Sequence, residues 1–516
     1  MGKYLYGAAV QGIQKFIFQT NKLKEIIGGS ELVEDICTTI FANLLYDLDL
    51  SYSEAKLKLK DDKNAVLFAA GNIKYLFSSQ EQCEKVVRAF PKLVSSYAPG
   101  ITISQAVVEM TADMDCFSVV VDALEAKLKA QRNVPMRSQT LGWMGVLRSR
   151  QSGLPVVHVE RNEYWDAAKY AKVKKSGKNV ENISMQNLCK KAFGLSELSP
   201  QSIPFDVEDM ALNNDWIAII HADGNGLGQV VQKVGKDDVK FKDFSQKLDL
   251  ATTNAAQYAY TQIMQQEQDK KGLVIPIRPV VLGGDDLTVI CRADIALEYT
   301  QHFIRAFEEQ TKAHLGELLK NNKVFIGEKN DCLTACAGIA YVKSSFPFYY
   351  GYELAEALCA VAKKDAKVDL RDGELPKSCL MFHKVQDSFV QDWATIVQRE
   401  LTPKENFSFE FGPYYIVEKK DESRWLVDEL IKRSQQLKDE SGNAVKSHIR
   451  NWMSILHNYN EDFAAQKLNR LKAVHSTPHL KTLIEDITNW RQRGDKHVCP
   501  AYDVLAIHTI YNQRTK

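Results

Sequence analysis

Residues 278–290 read RPVVLGGDDLTVI. Apolar residues run into Gly283-Gly284-Asp285-Asp286 and apolar residues run out again, the pattern of strand, tight turn, strand. Glycine permits positive φ and lets a ligand approach the backbone closely. Two adjacent aspartates at such a tip repel each other unless a cation, protons or water relieves them. Upstream, a second apolar strand over 216–221 ends in Ala222-Asp223-Gly224-Asn225-Gly226-Leu227-Gly228. Carboxylates at the ends of two strands, beside a glycine-rich loop that opens a helix, suit two divalent ions and a triphosphate.

Outward from this hairpin the pattern predicts a strand over 216–222, a helix within 243–266, the hairpin itself, a helix over 295–319, a strand over 333–342 and a helix over 353–364. The first part of the chain predicts the same order. A strand over 4–10 is followed by an amphipathic segment broken at Gly28-Gly29-Ser30, where Ser30 would cap a new helix. Then come a hairpin turning at Gly71-Asn72, a helix over 81–97, a strand over 101–108 and a helix over 119–130. Gln11 and Asp223 stand 212 positions apart, and Gly71 and Gly284 stand 213 apart. This is an internal duplication of a ferredoxin-like unit, two helices on one antiparallel sheet. The copies differ where chemistry would sit, with Gln11 in place of Asp223 and Gly71-Asn72 in place of Gly284-Asp285. Amides are weak ligands for a hard dication and carboxylates strong ones, so the second copy is the one expected to hold metal.

A chain of 516 residues should hold about three or four domains. The formal net charge of +1 gives no global electrostatic footprint for nucleic acid, which leaves only a local basic groove open. The ten cysteines form no CxxC pair, so neither a zinc ribbon nor a redox motif is signalled, and they read as reduced core thiols. The N-terminus MGKYLYGAAVQG lacks the apolar core of a signal peptide, and no run of about 20 apolar residues occurs. The expectation is a cytoplasmic protein with no membrane span.

Between the copies, the pattern loosens around the basic run Lys169, Lys172, Lys174, Lys175 and Lys178. Two readings stand there, an RNA-contacting insert and a solvated linker, the latter because charge runs usually face water. Beyond about residue 384 the pattern is mostly helical. Stripes such as Leu430/Ile431/Leu437 and Ile449/Trp452/Leu456 have core spacing.

With these residues in hand, ADGNGLG after a strand, GGDD on a hairpin and AEALCAVAK (355–363) resemble the second palm domain of the large polymerase-cyclase subunit of type III CRISPR effector complexes. The same parts are distantly similar to GGDEF nucleotide cyclases. GAAVQGIQKFIF (7–18) followed by KEIIGGSELV resembles the first, degenerate palm of that subunit. The fold expected is therefore α+β. It comprises a degenerate ferredoxin-like palm (1–138), a linker or insert (139–205), a GGDD palm (206–384) and a mostly helical C-terminal domain (385–516). The resemblance departs from the family in three places. With the first palm expected to start at Tyr4, the HD nuclease domain many members carry is not expected ahead of it. Cys189 is the only cysteine between the palms, so the zinc site of many members looks lost. Asn225 stands where the family often has a second aspartate.

The resemblance implies a metal-dependent nucleotidyltransferase that converts ATP to cyclic oligoadenylate in antiviral defence. Another cyclic nucleotide as product, and an RNA- or subunit-binding scaffold with weakened catalysis, are the alternatives. Asp223, Asp285 and Asp286 would be the catalytic metal ligands, for two Mg2+ or Mn2+ ions per site. Gly224, Asn225, Gly226, Gly228, Gly283 and Gly284 would let the backbone approach the nucleotide. Lys363 would pair with a phosphate, with Lys364 its rival if the helix register slips. His221 reads as a strand residue rather than a general base. The partners implied are ATP, and either guide RNA with other type III subunits or a second copy in a homodimer.

Overall fold

The structure is a computed structural model. It describes the chain apart from residues 1–2, 70, 112–116, 135–143, 177–186, 197, 199–201, 212–215, 236, 268–273, 328, 388–390, 439, 459–460, 476–477 and 512–516. In the first copy, β1 (Lys3–Gln11), β2 (Ala65–Ala69), β3 (Asn72–Phe77) and β4 (Thr102–Met110) form an antiparallel sheet in the order β2-β3-β1-β4. Helices α1 (Ile13–Phe18), α2 (Leu23–Asp35), α3 (Phe41–Tyr46) and α4 (Tyr52–Asp61) fill the first crossover, followed by α5 (Gln80–Tyr97) and α6 (Phe117–Arg132). The hairpin β5 (Val156–Glu160) and β6 (Glu163–Asp166) leads into α7 (Ala167–Lys175) and α8 (Asn187–Phe193).

The second copy repeats the plan. Strands β7 (Trp216–Gly224), β8 (Ile277–Gly283), β9 (Asp286–Arg292) and β10 (Ala335–Lys343) stand in the order β8-β9-β7-β10, the ferredoxin-like order of the first sheet. Helices α9 (Leu227–Val234) and α10 (Asp238–Glu267) follow β7, α11 (Ala296–Asn321) follows β9, and α12 (Phe348–Lys367) follows β10. The sheet then gains β11 (Cys379–Lys384), parallel to β10, and the short β13 (Tyr414–Tyr415). The remainder is mostly helical: α13 (Trp393–Ile396), α14 (Val427–Gln435), α15 (Glu440–Asn458), α16 (Glu461–Val474), α17 (Pro478–Thr488) and α18 (Ala501–Tyr511). A small sheet of β12 (Phe407–Ser408), β15 (Lys496–Val498) and β14 (Arg491–Arg493) joins them. The expected α+β fold, two ferredoxin-like units and a helical C-terminal part, is the fold observed.

Strand β7 shows how sequence becomes architecture. Successive side chains point to opposite faces. Ala218, Ile220 and Ala222 pack in the core with α10, α11 and the C-terminal helices. Ile217 and Ile219 pack on the other face with α12 and the helices of the first copy. Both faces are covered, which is why the strand reads as a nearly unbroken apolar run. The face that begins Ile217, Ile219 continues as His221 and Asp223, so the core itself delivers polar groups to one edge of the sheet. Where each copy meets the other, α2 lies against β8 and α10 against β2, a pseudo-symmetric exchange. The Ser30 hydroxyl donates to Val280 O on one side, and Gln246 Nε2 donates to Lys60 O at 3.1 Å on the other.

Two expectations are corrected. Gly28-Gly29-Ser30 does not break the helix: α2 runs straight through it, and Ser30 caps nothing. A Cβ at Gly28 would overlap the carbonyl of Lys172, so glycine serves close contact between α2 and α7 rather than a turn. The basic run is neither a solvated linker nor an RNA-facing strip at three of its positions. Lys169, Lys172 and Lys175, spaced three apart on α7, turn inward onto α1 and α2. Lys169 lies 3.5 Å from Glu25 and 3.1 Å from Glu163, Lys172 donates to Phe16 O, and Lys175 pairs with Asp35. Lys174 is exposed, and Lys178 lies outside the described residues. The nine described cysteines are buried free thiols, as expected.

Candidate functional site

The antiparallel register sets Ala222 opposite Leu287 and His221 opposite Thr288, which brings Asp223 at the end of β7 beside Asp286 at the start of β9. The turn between β8 and β9 needs φ +62 at Gly284, a left-handed conformation that favours glycine. A Cβ on Gly224 would stand 2.8 Å from Asp285 Cβ and 3.1 Å from its Oδ2, so the bare backbone of Gly224 is what admits the second carboxylate. All three aspartates thus converge, from two strand ends and one turn.

Helix α12 closes the site. It sits directly on the sheet, because a Cβ at Gly338 of β10 would overlap Ala355 O. That proximity carries Lys363 Nζ onto the Asp223 carboxylate and to 2.9 Å from Gly224 O. Lys364 is exposed, so the helix register selects Lys363. Glu356, two helical turns earlier on the same face, also acts on Asp223 and Asp286 electrostatically. The Tyr352 and His221 rings are nearly perpendicular with centres 5.6 Å apart, and the Tyr352 hydroxyl accepts a hydrogen bond from Gln14 of the first copy.

The electrostatics are those of negative charge held short of water. Burial, then Asp286 and Asp223, push Asp285 up to about 8. Burial and Asp223 push Asp286 up to about 7, against the pull of Lys363. Burial works against the charge on Lys363, but Asp223 outweighs it and holds the ammonium above its ordinary value. Burial lowers His221 and so favours the neutral imidazole.

The glycine loop divides its labour. Gly226 takes φ +83 to start α9, and a Cβ there would meet Phe325 at 2.7 Å. Gly228 and Gly284 have no neighbour within 4 Å of a Cβ position, so the surface is open there. The first N–H groups of α9 have no intrahelical carbonyl to receive them. Asn225 is built into the sheet instead. Its N–H donates to Thr334 O at 2.8 Å, and Nδ2 donates to Thr334 Oγ1 and Cys336 Sγ at 3.2 and 3.3 Å. Its side chain is therefore turned toward β10. In the first copy, Gln11 Nε2 donates to Ala9 O of its own strand at 3.1 Å.

Several residues escaped sequence reasoning. His221, Asp223 and Asp286 each offer a donor atom within 4.8 Å of the others, and two-residue strand spacing from Asp223 was the available signal for His221. Glu356 was legible as a helix position seven before Lys363. The residues that grip the hairpin tip gave no signal, because they come from afar. Thr252 Oγ1 donates to Gly284 O at 2.6 Å, and Asp249 accepts the Gly284 N–H. Lys191 Nζ donates to Leu282 O at 3.0 Å and to Asp249 at 2.8 Å. Beside this grip, between the copies, lies a cavity of about 200 Å³ lined in part by Lys56, Phe68, Ser245, Asp249 and Leu250.

As a donor set this cluster fits a divalent cation. The Asp223 and Asp286 carboxylates and the His221 imidazole lie together, the Asp285 carboxyl stands against Asp223, and Lys363 is paired with Asp223 and with the Gly224 carbonyl. Hard oxygen donors at this density are what such an ion takes.

Residues 216–371 match the family model for Cas10/Cmr2, second palm domain. No curated protein matches the chain. Among solved structures, the chain is similar to a Csm1-Csm4 cassette in complex with cA4, at 12% identity and TM-score 0.54, over 100% of this chain and 70% of that one. The same cassette in complex with AMPPNP matches at 13% identity and TM-score 0.54, again over 100% and 70%. The Csm1-Csm4 subcomplex of the type III-A CRISPR-Csm interference complex matches at 14% identity and TM-score 0.51, over 100% and 70%. At these identities the structures speak to the fold, which this chain shares along its whole length.

Proposed function

We propose that this Cas10-like chain, whose residues 216–371 match the second palm domain of Cas10/Cmr2, is a metal-dependent nucleotidyltransferase that joins ATP into a cyclic oligoadenylate. One observation carries the reading: Asp223, Asp285 and Asp286 converge on a partly open surface with one lysine as their direct counter-charge. A turn with a merely structural role gains nothing from unrelieved carboxylates, which cost stability.

Divalent ions bound there, Mg2+ or Mn2+, would acidify the attacking hydroxyl and neutralise the phosphate. The chain's own residues do the rest. Asp223 and Asp286 fix the charge that gathers the ions, and Asp285 adds its carboxylate once it loses its proton. Lys363, paired with Asp223, would be the group to hold a phosphate oxygen if a cation neutralised that carboxylate. Gly228 and Gly284 keep the surface bare enough for a triphosphate beside the N-terminus of α9, while Gly283 is buried at the end of β8. The Asp249/Thr252/Lys191 grip holds the hairpin tip still, so the carboxylates do not retreat as charge builds. The cavity between the copies, walled by Phe68 and Leu250 with Ser245 at hand, is of a size to receive a base.

The Csm1 relatives are seen with Csm4, and we take this chain also to work as a subunit of a type III CRISPR assembly. No helix among the described residues is long and apolar enough to cross a membrane. The test is incubation of the purified chain with each NTP and Mg2+ or Mn2+, with and without RNA, followed by chromatography of the products. Conversion of ATP that Asp285→Ala abolishes supports the reading, and no consumption of any NTP under any of these conditions rejects it.

A further inference from the structure

We infer that His221 is a nitrogen ligand of the divalent ion held by Asp223 and Asp286, and that it biases the site toward a first-row transition ion over Mg2+. The inference rests on the metal-dependent reading above and deepens it.

Three features of the structure converge on this role. His221 and Asp223 are two apart on β7 and so share a face. Its imidazole offers a nitrogen within 4.8 Å of carboxylate oxygens of both Asp223 and Asp286, so that a small inward turn of these side chains brings all three onto one ion. The ring is also held. Nδ1 lies 3.3 Å from Thr288 Oγ1, its partner across the register, and the Tyr352 ring stands edge-on at 5.6 Å. Nδ1 meets Thr288, so the ion is assigned to Nε2. A metal-bound histidine commonly has this arrangement, one nitrogen on the metal and the other on an orienting oxygen.

The position matters as much as the distance. On this face of β7 the residues before His221 are Ile217 and Ile219, both fully buried and apolar. His221 is the step at which the face turns from core to carboxylate. An apolar residue would have continued the core there at no polar cost, so the imidazole is a choice the packing does not require.

The chemistry sets the consequence. Mg2+ demands near-octahedral oxygen coordination and gives up water reluctantly. Imidazole suits the later divalent ions, whose affinity for nitrogen rises along the first transition row. Two carboxylates and one imidazole therefore favour Mn2+, and more so Co2+, over Mg2+.

The decisive probe is Mn2+ alone, bound to the purified full chain and examined by pulsed electron paramagnetic resonance. The inference predicts a 14N coupling of directly bound imidazole, replaced by a 15N coupling when histidine is supplied as the 15N form. That comparison needs no substitution and so carries no folding risk. His221→Ala should remove the coupling and weaken Mn2+ by about tenfold or more, while Mg2+ affinity changes by less than about twofold, which inverts part of the selectivity. Bound Mn2+ without 14N coupling, or an unchanged Mn2+/Mg2+ ratio in a folded His221→Ala variant, overturns the inference and leaves the nucleotidyltransferase reading standing. Failure of the wild-type chain to bind Mn2+ at all overturns both.

Discussion

Replacing Asp285 with asparagine should stabilise the metal-free chain, and only at neutral to alkaline pH. Burial and the charges of Asp286 and Asp223 push Asp285 from 3.8 up to about 8. The folded state therefore keeps this proton over a range in which the unfolded chain, with a carboxyl near 3.9, has released it. An acid raised on folding contributes a penalty that is absent below the unfolded value, grows as pH rises, and is complete above about pH 8. At 1.36 kcal/mol per unit, a displacement of about four units sets a ceiling of about 5 kcal/mol. The site is partly open to water, where charges are screened, so about 2 kcal/mol is the expected gain. For a cooperative unit of palm size this raises Tm by about 4–8 °C. The assay is thermal unfolding in chelator at about pH 4 and about pH 9. Asp285→Asn should match the wild type at the acid end and exceed it at the alkaline end. Added Mn2+ should reverse the order, because only the wild type gains a full ligand set. A variant no more stable than wild type at about pH 9 in chelator, or a gain independent of pH, would refute the reasoning.

Other perturbations separate structure from chemistry. Gly28→Ala forces a methyl group into the Lys172 carbonyl and should cost about 3 kcal/mol or more, read as a lower denaturation midpoint and earlier proteolysis around α7. Thr252→Val removes the hydroxyl from Gly284 O and should cut ATP turnover by about tenfold, the equivalent of one lost hydrogen bond of about 1.4 kcal/mol, with Mn2+ affinity retained. Asn225→Asp introduces a carboxylate against the Thr334 oxygens. It should destabilise the chain by about 2 kcal/mol and add no bound Mn2+ in a titration. Gain of a metal equivalent would show that Asn225 faces the site after all.

Much of this is legible in the sequence, and the reasons are local. The strand ends at Asp223 and the hairpin at Gly283-Gly284-Asp285-Asp286 announce themselves through periodicity and turn chemistry, which act over a few residues. The duplication was legible for the same reason, and the two sheets repeat one strand order. What sequence misread was set by distant partners. Gly28-Gly29-Ser30 has the composition of a helix break, yet its purpose is the approach of α7, over a hundred residues later. The lysines of α7 look like a solvated strip until Glu25 and Asp35 of α2 are seen opposite them. Asn225 looked like a weakened ligand, whereas its side chain is bound to Thr334 and Cys336 of the neighbouring strand region. The grip of Asp249, Thr252 and Lys191 on the hairpin tip joins three separate elements and leaves no trace in local pattern. His221 lies between these cases. Its spacing from Asp223 was visible, but its distance to Asp286 depends on the register of β7 with β9.

Under the proposed function, Asp223 and Asp286 at two strand ends and Asp285 in the turn form one metal-dependent nucleotidyl-transfer site. The most direct test compares the products formed from ATP and Mn2+, with and without RNA, by wild type and by Asp285→Asn/Asp286→Asn, the latter first shown to be folded. The wild type should release pyrophosphate and form adenylate products that resist phosphatase, as a closed ring does, and the double variant should do neither. Products of equal yield from both proteins, or ATP left intact by both, would contradict the proposed function.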